Sequence, residues 1–181
     1  MQIFVSGTWR PEKAAPYTNQ ALSLGRAIAS RGFDLACGPG TGIARHVIDG
    51  YREESARGRV RYYLPREQEM VSVGEEVADG ADEILQTEYD YPMRNVWQVS
   101  QSDGVFVLTG GDGTLEEIIP ALIDYHLPVA LVEGSGTAAT AMRRLLEIYP
   151  EWSESMLFGA DVASIVDDFL DRAAARHLST S

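Results

Sequence analysis

A single cysteine, Cys37, occurs in 181 residues, so no disulfide can close within the chain. A reducing, cytoplasmic setting is the one that fits. The three histidines, His46, His126 and His177, lie far apart and lack the spacing of a metal site, so no metal is expected. Basic residues are scarce: 15 Lys and Arg stand against 27 Asp and Glu, a formal charge of -12. Phosphate backbones are held by clustered Lys and Arg, and no basic run occurs, so no nucleic-acid partner is expected. Any anionic ligand has to be drawn in by a local site. No stretch approaches the roughly 18 apolar residues of a membrane span. The opening MQIFVSGTWR has a short apolar run with no basic region before it. No membrane partner and no export are therefore expected. Internal repeats, low-complexity tracts and linkers are missing too. With 45% hydrophobic residues, the chain suffices for one core and is short for two, which gives a single domain over 1–181.

What is present is an alternation of short apolar runs with helical patterns. Strands are expected at 2–6 (QIFVS), 33–37 (FDLAC), 60–64 (VRYYL), 83–86, 104–108 (GVFVL) and 128–132 (PVALV). The first helix, 19–32, sets Ala21, Leu24 and Ile28 on one face and closes at Gly32. A second carries Ile43, Val47 and Ile48, and a short helical piece within EEVADGADEILQ precedes the fourth strand. YPMRNVWQVSQS spaces Met93, Val96, Trp97 and Ser100 three and four apart, which assigns Trp97 to packing. Further helices are expected from about 114 to 126, near 136–148 and over 160–176, with the tail after Asp171 frayed. Strands alternating with helices throughout imply an α/β fold, a mostly parallel sheet with helices on both faces.

In such a sheet, ligands sit beyond the carboxyl ends of the strands. Four turns there are unusual: SGTWR (6–10), CGPGTG (37–42), EYDYPMR (88–94) and TGGDGT (109–114). All four should share one edge and so form one pocket. Gly110, Gly111 and Gly113 leave no Cβ in the way of inward-pointing N–H groups at a helix start, where the dipole favours an anion. The turn has no lysine and offers Glu116 and Glu117 instead. Thr114 is an N-cap candidate, and Thr114-Leu-Glu-Glu117 also matches a capping box, so Glu117 reads either as a cap or as a functional carboxylate. Asp112 and Glu116 read as solvated acids that compensate the dipole. Arg94, in the first turn of its helix, reads either as a surface partner of Asp90 or Glu88 or as a ligand-binding cation. Ser6, Gly7 and Thr8 follow the first strand, and Trp9, Tyr89 and Tyr91 are candidates for stacking on a base. Cys37 reads as a buried packing residue.

The segment MRNVWQVSQSDGVFVLTGGDGTLEE, residues 93–117, resembles the signature of the LOG-like proteins, formerly described as lysine decarboxylases. These belong to a Rossmann-like nucleotide-binding superfamily that also includes molybdenum-cofactor carrier proteins. The resemblance extends from VSGTWR through PVALV. It implies catalytic roles for Arg94 and Glu117 and a phosphate-binding turn of Thr109, Gly110, Gly111, Asp112, Gly113 and Thr114. Gly38 and Gly40 of the first glycine loop, with Gly7 and Thr8, would complete the nucleotide site. The implied activity is hydrolysis of the N-glycosidic bond of a nucleoside 5′-monophosphate, without cofactor, in a homodimer. Thr109 stands where the LOG branch has proline and Asn95 where it has lysine, a pairing closer to the carrier-like branches. The alternative implied is a non-catalytic carrier of a nucleotide or of molybdenum cofactor, or a nucleotide sensor.

Overall fold

The computed structural model describes residues 1–55 and 58–180. The chain runs β1 (Gln2–Gly7), α1 (Pro11–Ala14), α2 (Thr18–Ser30), β2 (Asp34–Cys37), α3 (Ile43–Glu53), β3 (Val60–Leu64), α4 (Glu67–Val73) and β4 (Glu83–Gln86). It continues α5 (Tyr91–Ser100), β5 (Gly104–Leu108), α6 (Asp112–Ile123), β6 (Val129–Val132), α7 (Thr137–Ile148), β7 (Met156–Gly159) and α8 (Val166–Thr180). The strands form one sheet in the order β4-β3-β2-β1-β5-β6-β7, and every neighbouring pair is parallel.

Because side chains alternate across a strand, each central strand feeds two cores. Ile3 and Val5 of β1 join one face with Leu24 and Ile28 of α2, Val47 of α3 and Phe169 of α8. Phe4 of β1 joins the other with Val105 and Val107 of β5, Ile118 of α6 and Met142 of α7. Phe106 and Phe169 meet edge to face across β5 and α8, with ring centroids 5.3 Å apart. Helices cover both faces, as the alternation predicts. Among the described residues no helix is long and apolar enough to cross a membrane.

Several boundaries differ from expectation. A seventh strand, β7, pairs with β6 in the register Val129↔Met156 through Val132↔Gly159. Its four residues are too few to show a period. The expected helical piece within 75–86 is irregular, and the helix lies earlier, in α4, which closes with Gly74 in the left-handed conformation. α6 begins at Asp112 rather than Thr114. The last helix is shifted to 166–180, so the frayed end expected from Asp171 is corrected. Three contacts hold that end: Arg172 to the Glu154 carbonyl at 3.1 Å, Arg176 to the Tyr125 carbonyl at 2.8 Å, and His177 to Asp103 at 2.8 Å.

The strand order reverses between β1 and β5. Connections from β1 lead across the sheet through β2, β3 and β4, and the chain then returns to place β5 on the other side of β1. α1 packs on one face of the sheet and α6 on the other, which leaves a crevice at the carboxyl edge of these two strands.

Candidate active site

That crevice is a cavity of about 810 Å³. All four unusual turns contribute to its wall: Ser6 to Arg10, Gly38 to Thr41, Tyr91 with Arg94, and Gly111 to Thr114. Parallel strands make this convergence possible, because each following helix starts at the same edge. Volumes of this order accommodate a nucleotide-sized molecule.

Eight of the ten expected binding residues, Gly7, Thr8, Gly38, Gly40, Gly111, Asp112, Gly113 and Thr114, line the cavity together with Arg94 and Glu117. Thr109 and Gly110 do not, and they support the turn from behind. Thr109 takes a left-handed φ of 61°, and its amide donates to the Ser135 hydroxyl at 2.9 Å. The Gly110 carbonyl accepts from the Ala138 amide at 3.3 Å, which ties the turn to α7.

At the start of α6, Gly111 is the N-cap and no side chain caps the helix. The amide end of the helix dipole therefore meets the cavity directly, an arrangement suited to an anion. Thr114 lies within the first turn rather than at the N-cap, and its side chain packs against Gly110. At Gly110, φ is 138° and a Cβ would come within 2.3 Å of the Thr114 hydroxyl oxygen, so only glycine fits. The capping-box reading of Glu117 is corrected accordingly. Its carboxylate accepts one hydrogen bond from Gln98 Nε2 at 2.8 Å and another from the Ser6 hydroxyl. Burial pushes the Glu117 carboxyl up to about 7, with Glu116 adding to the rise. Ser6, Arg94 and Gln98 pull in the opposite direction.

Arg94 is not the surface partner of Asp90 or Glu88. It is 5% exposed, its guanidinium donates to the Tyr63 carbonyl at 2.7 Å, and it lies 5.3 Å from the Tyr91 ring centroid. Among the described residues it makes no salt bridge, and its Nε has no hydrogen-bond partner. A buried guanidinium held by a neutral carbonyl leaves its charge available to the cavity. Asp90 instead caps α5, accepting from the Met93 amide at 3.0 Å.

Asp112 and Glu116 are exposed, as expected, but Glu116 also accepts from Asn95 Nδ2 at 3.0 Å. The buried side of α5 is largely polar, with Arg94, Asn95 and Gln98 beside Val99, while Met93 is 53% exposed. Trp97 packs as expected, its ring 5.1 Å from that of Tyr63. Trp9 and Tyr91 line the cavity, whereas Tyr89 lies against Trp97. Tyr91 donates to Glu75 at 2.6 Å. Cys37 is fully buried, and desolvation pushes its thiol well above the ordinary range. His46 lies within 3.3 Å of the Thr18 hydroxyl. Among the described residues no group of three His, Cys, Asp or Glu is placed to hold a metal ion.

Gln98 escaped the sequence reading, although a signal existed. It stands four residues after Arg94, which puts both on one face of α5.

Comparison with known proteins agrees with this picture. A cytokinin riboside 5′-monophosphate phosphoribohydrolase of Mycobacterium tuberculosis is 29% identical over 148 residues, covering 75% of this chain and 76% of that protein. A protein of Oryza sativa subsp. japonica described as a probable enzyme of the same name is 29% identical over 135 residues, 70% of this chain. The chain spans about half of that rice relative, 51%. The molybdenum-cofactor carrier protein of Chlamydomonas reinhardtii shares the fold, with a TM-score of 0.75 at 21% identity over 97% of this chain and 98% of that one. The family model described as SLOG cluster4 family matches residues 1–153. The match takes in every wall of the cavity, and the chain belongs to the SLOG cluster4 family, within the LOG-like, Rossmann-like superfamily.

Proposed function

We propose that the chain is a nucleoside 5′-monophosphate phosphoribohydrolase, which cleaves the N-glycosidic bond to release a base and ribose 5-phosphate. The observation that carries this reading is the Glu117 carboxylate, fixed from two sides in a cavity that also holds Arg94 and the uncapped start of α6. The two 29% identical relatives support it by the activity in their names.

The 5′-phosphate would sit at the amides of Gly111 to Thr114, with the helix dipole behind them. Binding there converts remote affinity into positioning of C1′. As the C1′–N bond lengthens, its electron pair leaves with the base and positive charge develops on the ribose. An ionised Glu117 stabilises that charge and takes a proton from the attacking water, whose oxygen forms the new bond to C1′. A carboxyl poised at about 7 can both accept that proton and return it to the base. Arg94 would hold the substrate or assist departure of the base, and Trp9 and Tyr91 offer faces on which the base can stack. Water is the only co-reactant, so no cofactor is required. The formal charge of -12 favours a small-molecule partner over nucleic acid. A cytoplasmic homodimer completes the proposal, with Ile84, Tyr89 and Met93, all more than 40% exposed, as contact candidates.

The test is incubation with a panel of purine and pyrimidine nucleoside 5′-monophosphates, monitored for free base and ribose 5-phosphate, with Glu117→Gln as control. Release by the parent and not by the variant is the expected result. Equal release by both removes Glu117 from the mechanism. Tight binding without release by either replaces the hydrolase with a carrier or sensor.

A further inference from the structure

Gln98 does not line the cavity, yet it touches the carboxylate on which the proposed reaction depends. It is fully buried on α5, one helical turn beyond Arg94. Its Nε2 donates to Glu117 Oε1 at 2.8 Å, while Ser6, at the end of β1, donates to the other carboxylate oxygen. Three separate elements, β1, α5 and α6, thus meet at one side chain.

The orientation of the Gln98 amide carries the argument. An ionised carboxylate can only accept, so the NH₂ end of Gln98 has to face Glu117. That choice leaves Gln98 Oε1 buried with no hydrogen-bond partner among the described residues. A buried unpaired acceptor is destabilising, and a methionine or leucine of similar volume in that place would have avoided it. Core packing alone therefore does not account for glutamine here. Donation to Glu117 does.

We propose that Gln98 is a positioning residue which, opposite Ser6, clamps the Glu117 carboxylate by both oxygens, favours its ionised form and keeps it aimed at the ribose. The catalytic meaning rests on the hydrolase reading, whereas the clamp itself does not. Glutamate has three side-chain torsions, and partial burial favours its neutral form. Two donors offset part of what desolvation removes and restrict the rotamer. The upward displacement of Glu117 is smaller with these donors than burial alone would make it.

The experiment is a carboxyl ¹³C NMR titration of Glu117 in the parent and in Gln98→Met, with the signal assigned by its loss in Glu117→Gln. Loss of a donor to the charged form should raise the apparent pKa of Glu117 by roughly half a unit or more, about a threefold change in its protonation equilibrium. The acid limb of the kcat/KM profile should move with it, and kcat should fall with KM nearly unchanged. Thermal melting reports whether the variant folds, and Ser6→Ala, which deletes the opposite arm, supplies a second titration if it does not. An unmoved titration in the folded variants overturns the clamp and makes Gln98 a core residue. A moved titration in a protein that cleaves no nucleotide keeps the clamp and removes the hydrolase. Cleavage with an unmoved titration does the reverse.

Discussion

Replacing Glu117 by glutamine is expected to abolish hydrolysis and, above neutral pH, to make the fold more stable. The carboxyl lies at about 7 in the folded chain against 4.5 for the ordinary group. At about 1.36 kcal/mol per unit, ionised Glu117 carries a penalty of roughly 3 kcal/mol relative to the neutral acid. The folded chain binds the proton more tightly than the unfolded chain. The stabilising contribution of the protonated group is therefore complete below about pH 4.5, erodes as pH rises, and is gone once pH passes about 7. Glutamine preserves the shape without the charge. Its amide can be met by the Ser6 hydroxyl, which both donates and accepts, and by the free Gln98 Oε1 after that amide turns over. Thermal and urea unfolding of both proteins between pH 4.5 and 8.5 are the assays. The two stability curves should nearly coincide at pH 4.5, separate progressively up to about pH 7 and change little beyond. At pH 8, a gap of roughly 3 kcal/mol corresponds to a melting difference of about 6 to 12 °C for a chain of this length. A constant gap, or a parent more stable than the variant at pH 8, would refute the reasoning and mean that Arg94 and the two donors match or outweigh desolvation at Glu117.

The remaining predictions concern the pH profile, Arg94 and two positions outside the cavity wall. On the proposed mechanism Glu117 works as a carboxylate, so the kcat/KM of the parent should rise with pH to a plateau above about 7; a flat profile from pH 5.5 to 8.5 removes it as the base. Arg94→Met should weaken binding of nucleoside 5′-monophosphates by about tenfold to a hundredfold in calorimetric titration, with only a small change in melting temperature, because among the described residues the buried cation makes no salt bridge and its one hydrogen bond goes to a neutral carbonyl. Gly42→Ala should lower stability by about 2 kcal/mol or more, read from the urea midpoint. Its φ is 58°, and an added Cβ would come within 2.1 Å of the Thr8 carbonyl oxygen. Native Cys37 should resist thiol reagents and become labelled only at the rate of unfolding, because burial keeps the thiol protonated and out of reach.

The sequence by itself determined the layered α/β fold and the edge on which the cavity opens. Runs such as GVFVL and PVALV are apolar on both faces, which only a sheet covered on both sides can bury, and parallel strands carry every following turn to one edge. Arg94 and Glu117 were visible because their helices start at that edge. Tertiary structure decided whatever depends on residues distant in the chain. β7 exists because β6 offers it an unpaired edge, and its four residues alone do not declare a strand. Thr114 lost the N-cap position because the helix starts two residues earlier, which freed Glu117 from the cap. Its partner Ser6 lies 111 positions away. Gln98 shares a helix face with Arg94 in the sequence, but what that face meets was decided only when α5 packed on α6 and turned its polar side inward. Local preference and periodicity are written in neighbouring residues. The polarity of a buried contact is set by whichever segments the fold brings together, and no window of sequence contains both.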